Sequence, residues 1–227
     1  MIKEVNLIII AMDEEFEALL NNIKDYQVED FFDNKIYSFK FNKEYFIALR
    51  GKIGKVSTAF YIGQLSMKFN IKKIYNLGTS GAYQKSLNIG DVVIASRVGY
   101  FDVDVTGFSY PMGQVPHCPR FFESESVNIT NLNFDEFKVH QGLIGSSDSF
   151  ITIKNVDLFP LKELNPLCVE MEAGAVSQCA YLLKIPFIII RSISDKIYEK
   201  DNSLDFDNNL KRASNNCVSV LLKLIND

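Results

Sequence analysis

Histidine is almost missing from this chain, with His117 and His140 the only two in 227 residues. Both read as loop residues, so no credible Ser-His-Asp arrangement is available for nucleophilic catalysis. Cysteine is sparse as well. Cys118, Cys168, Cys179 and Cys217 show no close pairing and no C-x-x-C spacing. That argues against a zinc site, so neither a metal nor another cofactor is expected. Free thiols in apolar segments fit a reducing compartment, and a cytoplasmic location is expected. Basic charge is also short: 24 Lys and Arg against 28 Asp and Glu give a net charge of −4. Binding a phosphate backbone needs a basic face, so nucleic acid is not expected as a partner. A small anion held by backbone amides remains open. No apolar run is long enough for a membrane span. The N-terminal stretch from Met1 to Met12 carries Glu4 and lacks a small-residue cleavage site, so it reads as a core strand rather than a signal peptide. Repeats, linkers and low-complexity stretches are missing too, which predicts a single domain over residues 1–227.

What is present is ordinary for a globular core, with 47% hydrophobic and 23% charged residues. Strand-like runs recur at Val5–Ala11, Tyr45–Leu49, Lys73–Leu77, Asp91–Ala95, Leu167–Val169 and Pro186–Ser192. The first and last are almost wholly aliphatic, as in strands covered on both faces. Helical spacing occupies Asp13–Asn22, Val56–Phe69, Ala173–Leu183 and Phe206–Leu224. This alternation predicts an α/β protein with a sheet between two helix layers. The long irregular stretch Gly99–Glu125 marks a functional loop or an interface.

Acidic residues sit where folding alone gives little reason for them. Ala11-Met-Asp-Glu-Glu15 closes the first strand. Three acids at a helix start can simply complement the helix dipole in water. Alternatively, one of them points back over the strand end, and only one can, because successive helical residues diverge by about 100°. Glu170 and Glu172 interrupt a buried run, and Asp195 ends another. Asp195 could instead cap a following helix, with Ser194 assisting. Arg191, inside an apolar strand, needs an acidic partner such as Glu15 or Glu170, because a buried unpaired cation is costly. Asn76-Leu-Gly-Thr-Ser-Gly81 reads as a small-residue loop after a strand, able to approach a ligand closely. It is neither a P-loop nor a dinucleotide fingerprint. Arg50-Gly-Lys-Ile-Gly-Lys55 is a second glycine turn. Gly145-Ser-Ser-Asp-Ser-Phe-Ile151 could wall a pocket for a flat ring or form a capped turn. Together these strand ends suit a polyhydroxylated ligand with a flat base.

In order along the chain, Ala11-Met-Asp-Glu-Glu15, Lys52-Ile-Gly-Lys-Val56, Asn76-Leu-Gly-Thr-Ser-Gly81 and Leu87-Asn-Ile-Gly-Asp-Val92 are followed by Asp102-Val-Asp-Val-Thr106, Gly113-Gln114, Ser147-Asp-Ser-Phe-Ile151, Val169-Glu-Met-Glu172 and Arg191-Ser-Ile-Ser-Asp195. Each is weak alone. As an ordered set they resemble the 5′-methylthioadenosine/S-adenosylhomocysteine nucleosidases of the nucleoside phosphorylase superfamily. The resemblance implies a single three-layer α/β/α domain with a mixed, mostly parallel central sheet. It also implies hydrolysis of the N-glycosidic bond of a 5′-thio-substituted adenosine, with a homodimer as the working unit.

By the same resemblance, Glu15 would deprotonate the attacking water, with Arg191 close by and Thr79 near the water. Asp195, next to Ser194, would protonate the leaving adenine. Glu172 would hold the ribose hydroxyls and Met171 would pack on the sugar. Phe150 and Phe206 would flank the base, the Ile151 backbone would read its edge, and Ile53 would line the thioalkyl side. Phe108 and Pro116 would complete the partner's site. Departures from the family pattern are Asp13 in place of a frequent glutamate, Ser80 in place of alanine or glycine, and Ser147 in place of glycine. The segment between Asp195 and Phe206 is also slightly long. Two rival readings are a phosphate-dependent purine nucleoside phosphorylase of the same fold and a non-catalytic nucleoside-binding homologue. Methylthioadenosine, S-adenosylhomocysteine, deoxyadenosine and aminodeoxyfutalosine all stay open as substrates.

Overall fold

Six consecutive buried residues, Val5 to Ile10, make the first strand a core element covered on both faces. The computed structural model describes residues 4–200 and 202–226. Among these residues the elements run β1 (Glu4–Ile10), α1 (Asp13–Leu20), β2 (Tyr26–Phe31), β3 (Asn34–Phe41), β4 (Glu44–Arg50), α2 (Lys55–Lys68), β5 (Asn70–Ala82) and β6 (Val92–Tyr100). They continue with β7 (Phe121–Glu123), β8 (Val139–Ser146), α3 (Leu161–Leu164), β9 (Cys168–Glu170), α4 (Ala173–Leu183), β10 (Phe187–Lys196) and α5 (Asn202–Asn226).

The sheet is mixed. β5 lies between β1 and β10 and is parallel to both. β4 adds to β1 in parallel, and the antiparallel β2–β3 hairpin extends that edge. On the other side β10 pairs antiparallel with β6, and β6, β8 and β9 run parallel to one another. β9 then pairs antiparallel with β5, so five strands close on themselves while β1, β4, β3 and β2 form a wing. Helices cover both faces. α1 and α5 pack together over Ile8, Ile10, Leu77 and Ile190, whereas α2 and α4 pack over Leu7, Ile9, Ile74 and Ile189. Alternate residues of one strand therefore serve opposite cores. Each fully buried Leu or Ile contributes roughly 1.5–3 kcal/mol.

The expected helix–sheet–helix layering is present. The β2–β3 hairpin and β8 are additions to the elements expected from sequence. β2 is exposed for five of its six residues, so no apolar run announces it. Two expectations are corrected. Asn76–Gly81 is not a loop: β5 runs straight through it and stays paired with β10 as far as Ala82. Its small residues serve close packing, since a Cβ on Gly78 would lie 2.0 Å from the Arg191 guanidinium. His140 is not on a loop either, but on β8, with Nε2 3.2 Å from Asp91 Oδ2. The irregular stretch after residue 99 also holds β7, which pairs with β6.

Candidate active site

A cleft opens where the carboxyl ends of β1, β5, β9 and β10 meet, the usual place for a ligand in an α/β sheet. Glu15, Thr79, Glu172, Ser194 and Asp195 supply polar walls, and Ile53, Phe150, Ile151, Met171 and Phe206 supply apolar ones. These ten come from stretches spread across nearly two hundred residues of chain.

Glu15 enters from the first turn of α1. Asp13 and Glu14 point to solvent, while Glu15 is 5% exposed. Its Oε1 accepts from the Thr79 backbone N–H at 2.8 Å and from the Thr79 hydroxyl at 2.9 Å. Burial raises the Glu15 carboxyl above its ordinary value, against the pull of the Arg191 charge and the Thr79 donors.

Glu170 and Glu172 divide their tasks. Glu170 Oε2 accepts from the backbone N–H groups of Glu172 at 2.9 Å and Ala173 at 2.7 Å, satisfying the start of α4. The same oxygen takes a hydrogen bond from Arg191 Nη2, which also donates to Asn76 Oδ1 at 2.7 Å. Glu172 Oε1 accepts from Gly54 N–H at 2.9 Å, and its Oε2 stands 3.5 Å from Arg191. Gly54 has φ of 100° at the start of α2, a conformation natural to glycine. Burial, then repulsion from Glu170, pushes Glu172 up to about 7, with Arg191 and the Gly54 amide opposing. Burial disfavours the Arg191 charge, yet Glu170, Glu172 and Glu15 outweigh it and raise the guanidinium pKa.

At the end of β10, Asp195 is 1% exposed. Ser194 Oγ donates to Oδ1 at 2.8 Å, and Asn202 Nδ2 donates to Oδ2 at 2.9 Å. Burial raises the Asp195 carboxyl, and the Asn202 and Ser194 donors oppose that shift. Phe150 and Phe206 meet edge to face, with ring centres 5.8 Å apart, beside this carboxyl in the cleft wall.

A family model described as the phosphorylase superfamily matches residues 7–226. The chain is 34% identical over 226 residues to the 5′-methylthioadenosine/S-adenosylhomocysteine nucleosidase of Maridesulfovibrio salexigens, covering 97% of this chain and 98% of that one. This chain belongs to that nucleosidase family. Solved members superpose closely. The Neisseria meningitidis nucleosidase in complex with methylthio-immucillin-A gives a TM-score of 0.90 at 31% identity, covering 98% of both chains. The Streptococcus pyogenes S-adenosylhomocysteine nucleosidase in complex with 5-methylthiotubericidin gives 0.90 at 31%, covering 98% of this chain and 95% of that one.

Three residues singled out from the family pattern stand apart from the cleft wall. Arg191 is buried, its charge engaged by Glu170, and does not itself line the cleft. Phe108 is 81% exposed on the long loop, and Pro116 lies in a turn of that same loop; neither lines this chain's own cleft. Asp195 does not cap a helix, since α5 begins only at Asn202. Asn202 and the Gly54 amide were not foreseen. Asn202 carried no signal beyond its place in the long segment before Phe206. Among the described residues, no helix is long and apolar enough to cross a membrane, and no cluster of His, Cys, Asp and Glu could hold a metal ion.

Proposed function

We propose that this chain hydrolyses the N-glycosidic bond of 5′-methylthioadenosine and S-adenosylhomocysteine, releasing adenine and the 5-thioribose product. The observation that carries this reading is one cleft holding Glu15, Glu172 and Asp195 beside the Phe150–Phe206 pair. Glu15 takes a proton from water as the water oxygen bonds to C1′. The bond from C1′ to the base nitrogen breaks, and its electron pair leaves with adenine. Asp195 delivers its proton to the five-membered ring of that base, and burial assists by raising the carboxyl pKa. Positive charge builds on the ribose between these steps, and nearby carboxylates stabilise it more than they stabilise the bound substrate. Glu172 holds the ribose hydroxyls, Met171 packs on the sugar, Ile151 reads the base edge and Ile53 lines the thioalkyl side.

Phosphorolysis fits less well. Among the described residues lining the cleft there is no Lys or Arg, and Arg50 is engaged by Asp13 at 2.7 Å outside it. Free adenine is measured with each candidate nucleoside, with and without phosphate. Release independent of phosphate is expected. Stimulation by phosphate would favour a phosphorylase, and binding without release a non-catalytic homologue.

We further infer that the chain works as one domain and as a homodimer in the cytoplasm. Val56, Phe60 and Met67 lie on one exposed face of α2, and the loop carrying Phe108 is also exposed. Such apolar faces are suited to burial against a second copy. The four thiols are free, as a reducing compartment would keep them.

A further inference from the structure

Asn202 is 2% exposed, and its side chain joins two acceptors that lie far apart in the chain. Nδ2 donates to Asp195 Oδ2 at 2.9 Å and to the Ile151 carbonyl at 3.0 Å. A backbone carbonyl only accepts, so the amide nitrogen must face Ile151, and both of its hydrogens are used. Four residues further along α5, about one helical turn, Phe206 meets Phe150, the residue preceding Ile151.

We propose that Asn202 is a positioning residue, whose side-chain amide sets the Asp195 carboxyl and the Ile151 carbonyl at the spacing a purine edge requires. This inference rests on the nucleosidase reading and deepens it. Each acceptor keeps a further lone pair for the base. The amide nitrogen cannot accept, so the proton that Asp195 transfers sits on a lone pair away from Asn202. The same contact aligns the start of α5, and with it the aromatic pair. The residue lies in the segment between Asp195 and Phe206.

Asn202 also donates to the charged form of Asp195, which opposes the effect of burial. Removing it leaves Asp195 protonated to higher pH. The test is the pH profile of kcat/KM for adenine release by Asn202→Ala and by the isosteric Asn202→Asp, beside the unaltered enzyme. The alkaline limb, where the acid loses its proton, should move upward by about one pH unit in Asn202→Ala. KM at neutral pH should rise roughly tenfold as the base edge loses its alignment. Asn202→Asp keeps the shape and places a second acid against Asp195, so its limb should move upward at least as far. Alkaline limbs coinciding with the unaltered enzyme in whichever variants fold would overturn the inference, whatever the loss of stability. No adenine release by the unaltered protein would overturn the functional reading, and this inference with it.

Discussion

Thr79 directs both of its donors, the backbone N–H and the hydroxyl, at one oxygen of Glu15, at 2.8 and 2.9 Å. The Met12 backbone also supports this carboxylate, which lines the cleft. The general-base role proposed for Glu15 needs its charged form stabilised, as the Thr79 donors do, and its basicity kept up, as burial does.

Thr79→Val should therefore raise the Glu15 pKa further, because it removes one donor to the carboxylate. The base must be ionised to work, so the acid limb of kcat/KM should move to higher pH, by about one unit. Thr79→Ser keeps the hydroxyl and should retain the original limb. Parallel pH profiles of the two variants make the check. A limb that does not move in Thr79→Val would separate Glu15 from the proton transfer.

Glu172 tests the balance of charge. Its pKa in the fold, about 7, lies above that of an unfolded glutamate. The folded state thus binds the extra proton, and stability falls as pH rises from about 4.3 through 7. Glu172→Gln keeps an oxygen for the Gly54 amide and removes the buried charge. It should lose most turnover yet gain stability on the order of 2 kcal/mol above pH 7, with little gain near pH 4. Urea unfolding at pH 5 and pH 8 reads the difference.

Arg191 is 1% exposed, with Glu170, Glu172 and Glu15 around it. Arg191→Leu leaves buried acids without their cation and should cost about 3–5 kcal/mol of stability. Adding Glu170→Gln should restore part of that loss, since the double variant no longer strands the Glu170 charge. Chemical denaturation of both proteins gives the answer, and equal stability of the single and double variants would remove Glu170 as the partner.

Much of this was legible in the sequence because strands buried on both faces are nearly continuous in aliphatic residues. An acid at such a strand end stands out, as Glu170 and Asp195 do. The chemistry of Asn76–Gly81 was visible but its shape was not. Small residues permit either a turn or a strand under close contact, and the Arg191 guanidinium packed against Gly78 decided for the strand. The β2–β3 hairpin stayed hidden because β2 lies at the sheet edge and alternates no apolar face. Asn202 stayed hidden for a different reason. A polar residue near a helix start resembles any capping residue. Only the folded chain brings Ile151 and Asp195 to its amide.

In the proposed reaction Asp195 gives the leaving base its proton. Single-turnover adenine release by Asp195→Asn, compared with the unaltered enzyme, tests it most directly. Asparagine keeps the size and can still hydrogen-bond the base, but it has no acidic proton to give. A loss of roughly 10²–10⁴-fold in the chemical step is expected, with nucleoside binding and the fold retained. A near-normal rate of adenine release in the folded variant would contradict it.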